Sequence, residues 1–174
     1  MHRLVGQGEH SYTFQVSDHD IPTRRYSLKQ MVYTPGKLHR VGQHVREDIE
    51  DYRRLCELGI RVPGMMDVDI ERERILKEYI QGPSVYELVM ADQMQPEYVE
   101  QARTMAGQLR RHHIDIDWFP SNFVVNDGKL FYVDYHCHDY DETRDFERVG
   151  LPYWSKGPEL LAYVADHPVI RQTV

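Results

Sequence analysis

The sequence predicts an α+β fold with a strand-rich first half and a mainly helical second half. Three observations carry this reading. Short stretches rich in β-formers recur from Tyr12 to Ile80. One amphipathic helical stripe, Val41 to Cys56, interrupts them. Beyond Gly82-Pro83 apolar residues step at helical spacing, with a single hairpin signal among them.

Tyr12 to Val16 alternates as a half-buried strand does, and Ser17-Asp18-His19-Asp20 is a turn cluster. Arg25 to Tyr33 reads as the next strand. Val41, Val45, Ile49, Tyr52, Leu55 and Cys56 then step by three or four, so a helix is expected. Its acids and arginines, Glu47, Asp48, Glu50, Asp51, Arg53 and Arg54, fall largely on the other faces. Gly59 suits a C-terminal cap, and Pro63 lies just beyond. Met65 to Asp69 and Arg74 to Ile80 are two further strands, and the half is read as β-β-β-α-β-β, with one of the strands before the helix left without bounds. In the second half Ser84 to Met90 reads as a short helix. Pro96 to His113 reads as a longer one, with Tyr98, Ala102, Met105 and Leu109 on one stripe. HHIDIDWFPSN is irregular. Phe123-Val124-Val125 and Leu130 to Val133 are short strands joined by Asn126-Asp127-Gly128, a strong hairpin signal. Tyr135 to Val174 is expected to hold two helices, one around Glu159 to Ala165.

The chain has 174 residues, 41% apolar and 28% charged, as an ordinary globular domain does. Lys and Arg number 21 against 28 Asp and Glu, a net charge of −7 that argues against a broad nucleic-acid-binding role. No apolar run approaches a membrane span of about 20 residues. MHRLVGQGEH lacks an apolar h-region, so neither a membrane nor a secretory route is expected. Cys56 and Cys137 are too few for a disulfide framework, which makes a reducing cytoplasmic setting the expectation.

Two carboxylates and an amide lie on or beside the hairpin. Asn122 precedes its first strand and Asp134 leaves its second, so folding the hairpin makes them neighbours. Oxygen ligands from two such side chains suit Mg²⁺, which keeps several waters and shares phosphate oxygens. Asp117, on the preceding loop, could orient or deprotonate an attacking hydroxyl. The plainer alternative makes Asp117 and Asn122 turn formers and Asp134 a helix cap.

The string DWFPSNFVV…KLFYVDY resembles the catalytic and metal-binding loops of the protein-kinase-like superfamily: an Asp, a Pro, an Asn, a hairpin, then a second Asp. Asp117, Pro120, Asn122 and Asp134 stand at those positions. Asp115 competes for the first, but spacing to Pro120 and Asn122 selects Asp117. The strand order of the first half also resembles the N-lobe of that superfamily. The resemblance, which runs from about residue 4 to residue 155, is to small bacterial serine/threonine-kinase-like proteins of the RIO and Bud32 type. It implies one kinase-like domain, 1–174, with an N-lobe at 1–81 and a reduced, mainly helical C-lobe at 82–174. Lys29 would hold nucleotide phosphates and pair with an acid of the helix, Asp48 by position, with Glu47 and Glu50 as fallbacks. Gly6-Gln7-Gly8-Glu9-His10-Ser11 would be the glycine-rich loop, with Gly6 and Gly8 as two of three glycines. The backbone of Glu78 and Ile80 would bond adenine. Asn122 and Asp134 would be the Mg²⁺ ligands, so ATP and Mg²⁺ are the implied cofactors.

Two departures matter. Phe119 stands where the family has a Lys or His that can reach the transferred phosphate, and Ile116 replaces the Arg before the catalytic-loop Asp. Only forty residues follow Asp134, so the acceptor is expected to be small, presented by a protein partner, or the protein itself. Two functions therefore stand: an ATP–Mg²⁺ phosphotransferase, or a catalytically inactive pseudokinase regulator. A third, metal binding by His136-Cys137-His138-Asp139 with His112 and His113, lacks standard zinc spacing.

Overall fold

The computed structural model describes residues 3–8, 10–21, 23–33 and 40–167. Its N-terminal part is an antiparallel sheet in the order β1-β2-β3-β5-β4. The strands are β1 Arg3–Gln7, β2 Ser11–Ser17, β3 Arg25–Met31, β4 Met65–Asp69 and β5 Arg74–Glu78. Helix α1, Gln43–Glu57, lies between β3 and β4 in sequence. The expected β-β-β-α-β-β order is therefore present. β3 ends two residues earlier than Tyr33, although Val32 N–H still donates to the His10 carbonyl at 2.8 Å.

α1 is amphipathic as its stripe requires, with Val45 and Leu55 fully buried. Asp48 and Asp51 are also buried, at 6% and 9% exposure, because both have partners in the interior. Gly59 ends the helix with φ 71°, the left-handed conformation glycine adopts freely.

The second part holds α2 Val85–Met90, α3 Pro96–Arg111, β6 Ile114–Ile116, β7 Phe123–Asn126, β8 Lys129–Tyr132, β9 Cys137–Asp139 and α4 Pro158–Asp166. Ser84 and Glu87 form a reciprocal capping box at the start of α2. The β7–β8 hairpin turns on Asp127 and Gly128, with φ 46° and 72°, as a tight two-residue turn needs. The stretch read as irregular instead contains β6, which pairs with β9. Phe146–Gly150 and Leu151–Trp154 form short wide and tight helical turns before α4.

Two apolar clusters hold these elements. Met31, Val45, Ile75 and Tyr135 lie between sheet and α1. A larger cluster joins α2, α3, the hairpin and α4, and takes in Leu55 and Ile60 from the first half. Trp118 stacks on Phe123 at 5.6 Å, and Trp154 meets Phe123 edge-on at 5.0 Å, so both tryptophans serve packing.

The crossing between the two parts is pinned to the hairpin. Val125 N–H donates to the Pro83 carbonyl at 3.0 Å, and the Asn126 amide donates to the Gln81 carbonyl at 2.6 Å. Gly82 has φ 150°, and a Cβ there would lie 1.9 Å from the Val125 carbonyl oxygen. Only glycine permits so close an approach.

Candidate functional site

β3 places Lys29 on the face of the sheet that covers α1, and α1 turns Asp48 toward it. Lys29 Nζ donates to Asp48 Oδ2 and to Asp134 Oδ1, both at 2.8 Å. Lys29 is 7% exposed. Asp134 sits just past β8 and is half-buried. Glu47 and Glu50 do not share the contact. Glu47 instead accepts from Gln43 and contacts His44, and Glu50 is exposed.

Asn122 closes the approach from the other side of the hairpin. Val133 N–H donates to the Asn122 carbonyl at 2.8 Å, which sets residue 122 beside residue 134. The Asn122 amide N–H lies 3.4 Å from the Asp117 carbonyl. Asp117 is exposed, with Oδ1 accepting the Phe119 N–H at 3.0 Å. Asp115 has a different place. It is 3% exposed and accepts from Ile116 N–H and Trp118 Nε1 at 2.9 and 2.6 Å, so it braces the loop from beneath. Burial pushes its pKa up, against those two hydrogen bonds.

The remaining expected positions are less tightly gathered. Gly6 lies on β1 opposite Thr13, and Gly8 N–H donates to the Ser11 carbonyl at 2.8 Å in the β1–β2 turn. Glu9 of that loop lies outside the described residues. A Cβ at Gly6 or Gly8 would make only ordinary contacts, the nearest at 3.5 and 3.6 Å, so the fold does not itself demand glycine there. Glu78 N–H donates to the Gly64 carbonyl at 2.8 Å. Ile80 is buried at the start of the crossing.

The electrostatics follow from four charges in little solvent. Burial opposes the Lys29 charge, but Asp134 and Asp48 outweigh it and its pKa is raised. Burial also opposes ionisation of Asp134, yet Lys29 and Lys77 hold its pKa well below the usual carboxylate range. Asp48 moves the other way: burial raises it, aided by Asp134 and resisted by Lys29. The fourth charge is Lys77, which is 3% exposed. Burial lowers its pKa to about 8, with repulsion from Lys29 adding to the effect.

Lys77 escaped the sequence reading, although a signal was there. Strand residues two apart share a face, so Lys77 faces inward with Ile75. Asp51 was also missed. It accepts the Cys137 N–H at 2.9 Å and ties α1 to β9. The His136-Cys137-His138 run does not converge. The two histidine rings are 6.4 Å apart, Cys137 is buried, and its thiol is pushed up to about 12 by burial and by Asp51. Among the described residues no trio of His, Cys, Asp or Glu is placed to hold a metal ion. Among them, too, no helix is long and apolar enough to cross a membrane.

No family model matches the chain. Over 115 residues, 64% of its length, it is 28% identical to the KEOPS complex subunit Bud32 of Pyrococcus abyssi (strain GE5 / Orsay). The chain spans about half of that relative, 52%. The antiparallel N-terminal sheet and the helices that follow it are compatible with a kinase-like fold. That distant likeness supports the protein-kinase-like superfamily, the same one that the loop motifs resemble.

Proposed function

We propose that the protein is an ATP–Mg²⁺-dependent phosphotransferase of protein-kinase-like type, acting on a hydroxyl acceptor. The observation that carries this is the meeting of Lys29 with Asp48 and with Asp134, the latter 105 residues away in sequence. In this reading 1–81 and 82–174 are two lobes, with the nucleotide held between them.

The donor set fits the cofactor. Asn122 and Asp134 offer hard oxygen atoms on adjacent strand ends, and Asp134 is held ionised. Mg²⁺, when bound, would neutralise charge on the β- and γ-phosphates. Lys29 would transfer one of its hydrogen bonds to a phosphate oxygen while Asp48 keeps its ammonium aimed. The glycines at 6 and 8, which the fold does not require, would let the β1–β2 turn approach phosphate closely. The Glu78 carbonyl and the Ile80 N–H would meet the adenine edge. Asp117 would take the acceptor's proton as its oxygen bonds the γ-phosphorus and ADP leaves. Phe119 contributes no charge, since it packs on Tyr153 and Tyr163 at 5.7 and 4.6 Å. Lys29 is then a cation that this chain brings to the phosphates. The relative from Pyrococcus is by name a subunit of a complex, which supports a protein partner here.

Calorimetric titration of ATP with and without Mg²⁺ tests the reading. Asp134→Ala is expected to abolish Mg²⁺-dependent nucleotide binding, and Asp117→Ala to spare binding while removing phosphate transfer. Equal nucleotide affinity in wild type and Asp134→Ala would reject the site. Binding without any transfer or phosphate release in wild type would reject catalysis.

A further inference from the structure

We infer that Lys77 is a positioning residue whose buried ammonium holds the segment carrying Asp134, so that this carboxylate stays turned toward Lys29. The inference rests on the proposed role of Asp134 and adds a residue that the loop motifs do not include. Lys77 lies on the interior strand β5, opposite Ser27 of β3 and Met65 of β4. Its Nζ donates to the Val133 carbonyl at 2.7 Å. The same ammonium lies 4.7 Å from the centre of the Tyr135 ring. One cation therefore grips the residues on both sides of Asp134.

The consequence is a fully tethered peptide. Val133 gives its N–H to Asn122 and its carbonyl to Lys77. Asp134 Oδ1 accepts the Tyr135 N–H at 2.9 Å as well as Lys29. An apolar side chain of similar length would fill the space at residue 77 without the cost of burying an amine. What lysine adds is a donor to the carbonyl and a charge beside Tyr135. Remove the donor and the 133–134 peptide is free to rotate, which would swing Asp134 away from Lys29 and from Asn122.

The test compares Lys77→Met, which keeps bulk and loses the donor, with Lys77→Gln, which keeps an N–H donor. Two readouts are taken on the full chain. One is the Mg²⁺ concentration giving half of the ATP-induced thermal shift. The other is the acetylation rate of Lys29 by an N-hydroxysuccinimide ester of acetate at low conversion, followed by mass spectrometry. In Lys77→Met the Mg²⁺ requirement should rise at least tenfold and Lys29 acetylation at least fivefold. Lys77→Gln should stay within threefold of wild type on both. A packing role alone predicts the reverse order, with Met at least as good as Gln, and that order overturns the inference. Wild-type values within twofold in Lys77→Met overturn it too. If wild type shows no ATP–Mg²⁺ shift at all, the proposed function fails, while the acetylation arm still decides the role of Lys77.

Discussion

Replacing Lys29 with methionine keeps the length of the side chain and removes the ammonium from between two carboxylates. Both contacts are 2.8 Å, so both are lost together. The Asp48 side chain is 8% exposed and that of Asp134 is 32% exposed. Solvent therefore screens part of the loss at Asp134, and most of the penalty falls on Asp48. Stranding one partner of a buried pair costs about 3–5 kcal/mol. That is a large share of the roughly 5–15 kcal/mol that holds a domain folded. The pH dependence has a definite sign. Asp48 has its folded-state pKa raised, mainly by burial, and losing Lys29 raises it further. Between the unfolded and folded values the native state binds more protons, so its stability falls as pH rises. The defect should be largest at pH 7 and shrink toward pH 5. Urea melts at the two pH values measure it, and Lys29→Met/Asp48→Leu should regain half or more of the loss. A loss under about 1 kcal/mol at pH 7, or one that does not shrink on acidification, would refute the argument from a buried, shared ammonium.

Three further outcomes are expected. Lys77 has a folded-state pKa of about 8 against 10.5, so the unfolded chain binds more protons between these values and the contribution of Lys77 to stability rises with pH across that window. The rise is at most about 3 kcal/mol, and should be absent from Lys77→Met when alkaline denaturant melts of the two proteins are subtracted. Gly82→Ala should cost about 3 kcal/mol or more, because its Cβ would meet the Val125 carbonyl, whereas Gly59→Ala meets nothing within 4 Å and should cost about 1 kcal/mol. A matched pair of thermal melts separates steric from conformational cost. Asp115→Ala leaves the Ile116 N–H and the Trp118 indole N–H without their acceptor and should cost about 2 kcal/mol, with a change in near-ultraviolet circular dichroism from Trp118 as the local readout.

What the sequence could and could not reveal follows the range of each interaction. β2, β3, α1 and the β7–β8 hairpin have local causes: alternation, a stripe at helical spacing, and Asp127-Gly128 in a turn that needs positive φ. β6 and β9 have none. Each is three residues long, and Ile114 pairs with Asp139 across a whole hairpin, so no periodicity announces either strand. The acids of α1 show the same divide. Pattern alone put Asp48 and Asp51 outside, but each is buried because a distant group receives it, Lys29 in one case and the Cys137 N–H in the other. The resemblance puts Asp48 ahead of Glu47 and Glu50 as the acid facing Lys29, and the acid of α1 that Lys29 touches is Asp48. Lys77 was within reach of strand parity, yet its partner, the Val133 carbonyl, is a backbone group and carries no side-chain signature.

The stitching of residues 81–83 to Val125 and Asn126 makes the crossing and the hairpin one mechanical piece. Further ties run from that piece to the sheet and to α1: Lys77 Nζ to the Val133 carbonyl, Tyr132 N–H to the Arg61 carbonyl, and Cys137 N–H to Asp51. Asp134 sits between the first and the last of them. A tilt of the sheet against the hairpin would have to break hydrogen bonds on both flanks of this carboxylate before Lys29 lost it.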